Sequence, residues 1–386
     1  MRSQVAPTNR LVSIDALRGF DMFWIMGGDL LARHVCGRLR ETAHSDTVFG
    51  RFARFVGDLQ PQFDHVEWHG FVFYDLIYPL FLFLVGVVLP FSLGKYGEGP
   101  SPGAYGRVFR RTFALIALGL IYNGFLQFTF ASKGWSDVRL PGVLQRIGLC
   151  YFFAALIVMN FRPAMQMVFF AAILGLYYAG MTFIPAGDHA AGDLSKEGNL
   201  AGWLDRRILG GTKLYYGFGD NEGLLSTIPA IATTLLGALA GALLRGSNSP
   251  LLRVLVLLVG GAICVQLGWW WEQFGGFPVN KILWTSSFVL VAGGWSLILL
   301  GAFHFVIDVC GLKAWAYFFT VIGANAIAIY MLEDLVDWNH STEFLFGGIA
   351  NLAGEPNKTL ILLVGAITLK WLVLWFLYRQ RVFFRV

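Results

Sequence analysis

Apolar segments of bilayer length recur along this chain, and no other feature limits its fold so strongly. A hydrocarbon core of about 30 Å needs roughly 20 residues of helix. Such segments lie near 14–34, 71–94, 108–130, 140–160, 164–184, 224–244, 251–271, 282–306, 313–334 and 359–379. Lipid offers the backbone no hydrogen-bond partners, so runs of this length must be helical. The pattern predicts an all-α integral membrane protein with about ten transmembrane helices. The first segment is the most polar, with Asp21, Gly27, Gly28 and Asp29 inside it. Residues 341–353 are short and glycine-rich, and read as a loop or re-entrant piece. No repeat or composition shift divides the chain, so 1–386 is expected to form one transmembrane domain.

Only 14% of the residues are charged, where a soluble domain carries about a quarter. The net charge of +5 calls for no nucleic acid, because basic residues at cytoplasmic helix ends produce it. Cys36, Cys150, Cys264 and Cys310 have no paired spacing, which argues against a disulfide framework or a metal site. Asp15, Arg18 and Asp21 interrupt the first apolar run, and no cleavable signal is expected.

Orientation follows from the short loops. An inner N-terminus gathers Arg2, Arg10, Lys95, Arg107, Arg110, Arg111, Arg162, Arg245, Arg253, Lys313, Arg379, Arg381 and Arg385 on the cytoplasmic side. The short outward loops keep Lys133, Arg139, Lys281 and Lys358. Both termini are therefore expected inside. The long connections at 35–70 and 185–223 then face outward. This arrangement brings Asp29, His65, His69, Asp75, Gln145, Arg146, Asp220, Asn221, Glu222, Asn280, Lys281, Glu333 and Asp334 to one leaflet. A one-sided reaction chamber fits that better than a channel, whose polar residues would spread through the depth.

Residues 64–86 hold the densest chemistry: two histidines, Glu67, Trp68 and Gly70 precede an apolar helix that carries Asp75 near its start. A carboxylate inside such a segment is expensive and marks function. His65 and His69 are spaced i, i+4, as a helical metal pair would be, but no third ligand stands at a recognisable spacing, and no metal is expected. A structural role in a wet loop and a role as general base or acyl relay both remain open. Asp75 and Arg146 are expected at similar depth. They would form a buried ion pair, or Arg146 would bind a substrate phosphate or carbonyl. Asp15 and Arg18, at i, i+3, form a similar pair. Arg107, Arg110 and Arg111 read as topology anchors or as a phosphate clamp. Trp269, Trp270 and Trp271 read as an interface belt. His304 and Asp308 receive no role.

Several blocks together resemble the heparan-α-glucosaminide N-acetyltransferase family. They are R-L-V-S-I-D-A-L-R-G at 10–19, H-V-E-W-H-G followed by F-Y-D-L-I-Y-P-L-F-L-F-L-V-G, and L-P-G-V-L-Q-R-I-G at 140–148. D-N-E-G-L-L-S-T-I-P-A at 220–230, F-P-V-N-K-I-L-W-T at 277–285 and G-A-N-A-I-A-I-Y at 323–330 continue the likeness over nearly the whole chain. The resemblance implies acetyl transfer from cytosolic acetyl-CoA to an amino sugar across the membrane. It also implies a catalytic histidine three residues before Trp68, which is His65. The extra N-terminal segment of the lysosomal enzyme has no counterpart here, which points to a bacterial relative in the cytoplasmic (inner) membrane.

The resulting expectation is an acetyl-CoA-dependent sugar acetyltransferase with His65, Asp75 and Asp29 as catalytic groups. His69, Glu67, Trp68, Arg146, Gln145, Asn221, Glu222, Asn280 and Lys281 would bind substrate. Arg18, Arg107, Arg110, Arg111 and Arg245 would hold the CoA. Expected partners are membrane lipid, acetyl-CoA and a glycan acceptor, with a homodimer as one possibility. The alternatives are a transporter of sugars or lipid-linked glycan intermediates and an envelope glycan O-acyltransferase. No broken helices are evident in related positions of two halves, which weighs mildly against the transporter.

Overall fold

The computed structural model describes residues 11–42, 47–94, 100–125, 134–355 and 357–384. Arg2, Arg10, Lys95, Lys133 and Arg385 of the orientation argument lie outside them. So do residues 126–130 of the third expected span. Among the described residues the regular structure is helical, with isolated bridges joining Ala186 to His189 and Tyr216 to Gly219.

The chain opens with α1 (Val12–Phe23), a π-helical turn, α2 (Asp29–Thr42) and α3 (Val48–Gly57). Next come α4 (Phe73–Leu93), α5 (Pro102–Tyr122), α6 (Val143–Asn160), α7 (Pro163–Phe183) and α8 (Leu200–Leu209). The remainder is α9 (Thr227–Arg245), α10 (Pro250–Gly275), α11 (Ser286–Val309), α12 (Ala316–Ala324), α13 (Ala326–Leu335), α14 (Trp338–Ala353) and α15 (Asn357–Arg379). Among the described residues, 7 helices are long and apolar enough to cross a membrane: α4, α6, α7, α9, α10, α11 and α15. The α12–α13 pair, bent by 70°, makes an eighth if it counts as one span. Two expected spans fail that test for physical reasons. The first is broken into helices too short to cross, and α5 carries Arg107, Arg110 and Arg111.

Two expectations are corrected. The connection at 35–70 is not a plain loop, because α2 runs on to Thr42 and α3 follows. Residues 341–353 are helical, within α14, which Asp337 caps by accepting the His340 N–H at 2.9 Å. Separately, helices break at Gly27 and at Asn325, which leaves untouched the expectation about related positions of two halves.

The chain divides into two compact units. The first comprises residues up to Gln60, Ser249–Leu258 and Ile298–Arg385. Within it α1 packs closely on α12: a Cβ on Gly19 would overlap the Phe319 carbonyl, and one on Gly323 the Asp15 carbonyl. Gly27 breaks the helix with φ 114°, a value glycine adopts without steric cost. The Lys370 ammonium donates to the Met26 carbonyl at this break (2.9 Å) and to Glu333 (2.8 Å). At the other break, the Asn325 amide donates to the Val382 carbonyl (3.1 Å), and its oxygen accepts from the Phe384 N–H (3.0 Å).

The second unit comprises Pro61–Asn248 and Val259–Leu297, with Val386 outside the described residues. Its centre is α9. A Cβ on Gly237 or Gly241 would meet the carbonyl of Phe83 or Val87 on α4, and one on Gly86 the carbonyl of Thr234 on α9. Without a hydrophobic drive between helices in lipid, such small-residue faces let backbones approach. The bundle has two distinct ends. At one, Tyr105 bonds Asn160 (3.0 Å), and Arg245 bonds the Pro90 carbonyl (3.0 Å). About 21 Å from Asn160 along α6, the other end carries Arg146, with Asp75 and Lys281.

Candidate active site

Residues 64–72, which lead into α4, form no helix. The i, i+4 spacing of His65 and His69 therefore does not make a helical metal pair, and no candidate metal cluster occurs among the described residues. The loop is held by the Gly70 N–H, which donates to the Val279 carbonyl at 2.9 Å. Gly70 itself has φ 111°, so glycine suits the turn.

Asp75 sits one turn into α4, with its side chain 2% exposed. Its Oδ1 lies 2.8 Å from Nδ1 of His65 and 3.3 Å from the Lys281 ammonium. Its Oδ2 accepts long bonds from the N–H groups of Val72 (3.4 Å) and Val66 (3.5 Å). The Lys281 nitrogen also lies 3.1 Å from Nδ1 of His65. Nδ1 cannot donate to Asp75 and accept from Lys281 at once. An ionised carboxylate only accepts, so the proton belongs on Nδ1. That tautomer leaves the lone pair on Nε2, for which no hydrogen bond forms among the described residues. The His65 side chain is 53% exposed, and its ring lies against Tyr74, centroids 4.7 Å apart. A half-open imidazole, oriented from behind by a buried carboxylate, is built to take up a proton at Nε2.

The turn from Pro278 to Thr285 delivers Lys281. The Thr285 hydroxyl donates to the Pro278 carbonyl (2.7 Å), and the Asn280 oxygen accepts from the Leu283 N–H (2.8 Å). Trp284 adopts φ 52°, which is rare for a bulky residue. Burial pushes the Lys281 ammonium below its usual range, against the pull of Asp75. Asn280 is fully buried, and its Nδ2 has no hydrogen-bond partner among the described residues.

Arg146 corrects a further expectation: it does not pair with Asp75. Its guanidinium bonds the Ser226 hydroxyl and the Gly223 carbonyl and lies over Trp284, 5.0 Å from the ring centroid. Its Nε and Nη1 are buried without a hydrogen-bond partner among the described residues. Gln145 turns toward the start of its own helix, donating to the Leu140 carbonyl at 3.1 Å.

Nearby, Arg139 grips Asp220 (2.6 and 2.9 Å), Asn221 (3.0 Å) and Glu222. Burial opposes its charge, but these carboxylates outweigh burial and raise its pKa. Burial also raises Glu222, and pushes Asp205 up to about 6. Asp205 accepts the N–H groups of Leu224 (2.9 Å) and Asp220 (3.2 Å). Asn221 and Glu222 are thus engaged in bracing the loop.

Glu67 and His69 are exposed, and the Trp68 indole donates to the Leu194 carbonyl at 3.2 Å. At the opposite end of this unit, Arg107 is half-buried, Arg110 and Arg245 are exposed, and Arg111 lies over Tyr151. Two expected site residues belong to the other unit. Asp29 pairs with Arg33 at 2.8 Å, and Arg18 with Asp15 at 3.3 Å, as its spacing implied. His304 and Asp308, left without a role, pair at 3.1 Å. Arg139, Asp205, Ser226 and Trp284 escaped the sequence reading. So did Lys370, although a lysine inside an apolar span is itself a signal.

No family model matches the chain. It is 27% identical over 387 residues to heparan-alpha-glucosaminide N-acetyltransferase of Homo sapiens, covering 87% of this chain and 57% of that protein. Against the Mus musculus protein of the same name, identity is 27% over 388 residues, covering 87% and 58%. The chain is related to these proteins and spans somewhat over half their length.

Proposed function

We propose that this chain is an integral-membrane acetyltransferase. It would move an acetyl group from cytosolic acetyl-CoA to an amino sugar or glycan acceptor on the outer side of a bacterial cytoplasmic membrane. The observation that carries the reading is the Asp75–His65 pair, in a chain related to named acetyltransferases.

The chemistry assigned to the residues is as follows. Nε2 of His65 removes a proton from the acceptor amine or hydroxyl. The freed lone pair attacks the thioester carbonyl, the C–S bond breaks, and the CoA sulfur leaves with the proton returned by the imidazolium. An acetyl relay through Nε2 uses the same atoms in two steps. Asp75 holds the tautomer and balances the imidazolium charge, and Lys281 faces the same carboxylate oxygen. The unpartnered donors of Arg146 and Asn280 are suited to the thioester oxygen as it becomes anionic. Arg107, Arg110, Arg111 and Arg245, at the opposite end of the same bundle, are suited to the CoA phosphates, with both termini and that end cytoplasmic.

The broken helices at Gly27 and Asn325 give the transporter reading a specific observation of its own. Both breaks lie in one unit, however, rather than in corresponding positions of two repeated halves. Purified protein in nanodiscs, given labelled acetyl-CoA and a panel of amino sugars, neutral sugars and cell-wall fragments, decides between them. Label transfer that depends on His65 supports the enzyme. Sugar flux in proteoliposomes without acetyl transfer would replace it with the transporter.

A further inference from the structure

The first unit carries a row of ionisable side chains along its broken helix that the transfer chemistry does not use. At one end His304 and Asp308 pair at 3.1 Å in the π-helical end of α11, with Ser13 of α1 against Asp308. Asp15 and Arg18 follow, paired at 3.3 Å, and then Asp21. At the break the Lys370 ammonium joins the Met26 carbonyl to Glu333, and Asp29 with Arg33 closes the row at 2.8 Å. From Ser13 to Arg33 the helices rise about 30 Å along their axes, which is the thickness of the hydrocarbon core.

Polar contacts between helices help hold membrane bundles together, which is the plainer reading of such groups. Lys370 fits it, since it ties α15 to α13 and to the break. The others do not. Asp15–Arg18, Asp29–Arg33 and His304–Asp308 each form within a single helix, so these pairs bind no helix to another. Asp21 is fully buried, and neither of its carboxyl oxygens has a hydrogen-bond partner among the described residues. The same holds for Nε2 of the buried His304 and for Oε1 of Glu333. Ionisable groups left in this way inside a membrane domain are costly and accompany ion or proton routes. The His304–Asp308 turn and the Trp24–Gly28 turn are both π-helical, a form frequent at functional sites.

Open positions therefore stand at three depths of one row, at His304, Asp21 and Glu333. Successive members on α1 and α2 are separated by about 3–7.5 Å of helix rise, a step that one or two waters bridge. Both signs of charge line the row, so Arg18 and Lys370 oppose a metal cation and the carboxylates oppose an anion. A proton passes between acid, imidazole and water without any of these groups leaving its place. A carboxyl group sealed from water without a donor is stable as the neutral acid, so Asp21 is suited to hold a proton in mid-row. We propose that the first unit is a proton path across the membrane, with Asp21 as its central carrier. The Asp21 O–H gives its proton to a bridging water, which passes one of its own to the next acceptor, and the carboxylate regains a proton from the other side. Only O–H and N–H bonds break and form. The inference is independent of the acetyltransferase reading.

The test uses the purified full chain in liposomes loaded with the pH dye pyranine, with valinomycin and potassium to balance charge. An acid step is applied outside, with and without CoA, so the result is readable whether or not the chain transfers acetyl groups. Wild type should acidify the lumen several-fold faster than empty liposomes in at least one of the two conditions. Asp21→Asn should return to the empty-liposome rate, and replacing sodium by choline should change nothing. A wild-type rate equal to that of empty liposomes in both conditions, or one that Asp21→Asn leaves unchanged, overturns the path. A rate that follows sodium overturns it in favour of a metal cation. His304→Gln and Glu333→Gln, at the two other depths, are measured beside it and should each slow the flux several-fold, with thermal unfolding midpoints confirming that each variant is folded. If Asp21→Asn does not fold, these two decide, and wild-type flux in both overturns the path.

Discussion

His65 and Asp75 meet through Nδ1 and Oδ1 at 2.8 Å, and Lys281 reaches that same carboxylate oxygen at 3.3 Å. The carboxylate is buried and the imidazole is half-open, so orientation comes from the interior and reactivity faces outward. General-base assistance contributes about 10²–10⁴-fold. His65→Ala should lose at least that much in acetyl-transfer rate while keeping its fold and CoA affinity, because a loop imidazole buries little apolar area. His69→Ala, which removes an exposed ring not bonded to Asp75, should cost far less. Rates at saturating acetyl-CoA, with CoA binding measured separately, check both. A dead His69→Ala beside an active His65→Ala would move the base to His69.

Asp75→Asn separates orientation from packing. An amide of the same shape can present its N–H₂ to Nδ1, which favours the tautomer with its lone pair there and its proton on Nε2. Turnover should fall by about 10²–10⁴-fold, with thermal stability changed much less than in Asp75→Ala. Lys281→Met should reduce turnover less than Asp75→Asn, since His65 still faces the carboxylate, and Lys281→Arg should restore part of the loss. Equal turnover in wild type and Lys281→Met would confine the lysine to a structural role.

What could be read from the sequence follows the reach of local signals. Hydrophobic run length located most of the spans, since lipid imposes helix on any long apolar stretch. Breaks did not show, because Gly27 becomes a break only where Lys370, more than 340 residues away in sequence, takes up the Met26 carbonyl. The same limit applied at the site. Asp75 was marked by its cost within an apolar segment, but its partner was misassigned to Arg146. Depth along a helix is readable from spacing, whereas azimuth is not. Arg146 turns toward Ser226 and Trp284, and a lysine in a turn 206 residues on completes the carboxylate's shell.

The two ends of the second unit should differ in ligand. Arg110→Glu removes an exposed cation without touching the His65 end, and should weaken CoA binding at least several-fold by removing a phosphate contact. The loss of affinity relative to wild type, measured by calorimetry, should narrow as ionic strength rises if the effect is electrostatic. Unchanged CoA affinity in Arg110→Glu, Arg107→Glu and Arg245→Glu would leave these residues as topology anchors. Orientation is checked in a cysteine-free background: Glu197→Cys should react with an impermeant reagent from outside, and Arg110→Cys only after the inner face is opened.

Asp205 gives the loop bracing a pH signature. Burial, aided by the charge of Asp220, raises its pKa to about 6 from an ordinary 3.8, although the Leu224 and Asp220 N–H groups pull it down. Between those values the folded protein keeps a proton that the unfolded chain has released, so this group's contribution to stability falls as pH rises through the window. Above about 6 the penalty is complete and constant, at no more than about 3 kcal/mol. Moving wild type from pH 7 toward pH 5 should therefore recover stability from Asp205. Asp205→Asn has no proton to exchange there and keeps one oxygen for the N–H bonds, so it should lack that recovery. Glu222, whose shift owes nothing to Asp205, contributes alike to both pH profiles and cancels in their difference. Thermal unfolding midpoints in detergent at several pH values supply the comparison. Parallel profiles for wild type and Asp205→Asn would mean that Asp205 ionises without penalty, and that the loop carrying Tyr215 and Tyr216 is not braced through a strained carboxylate.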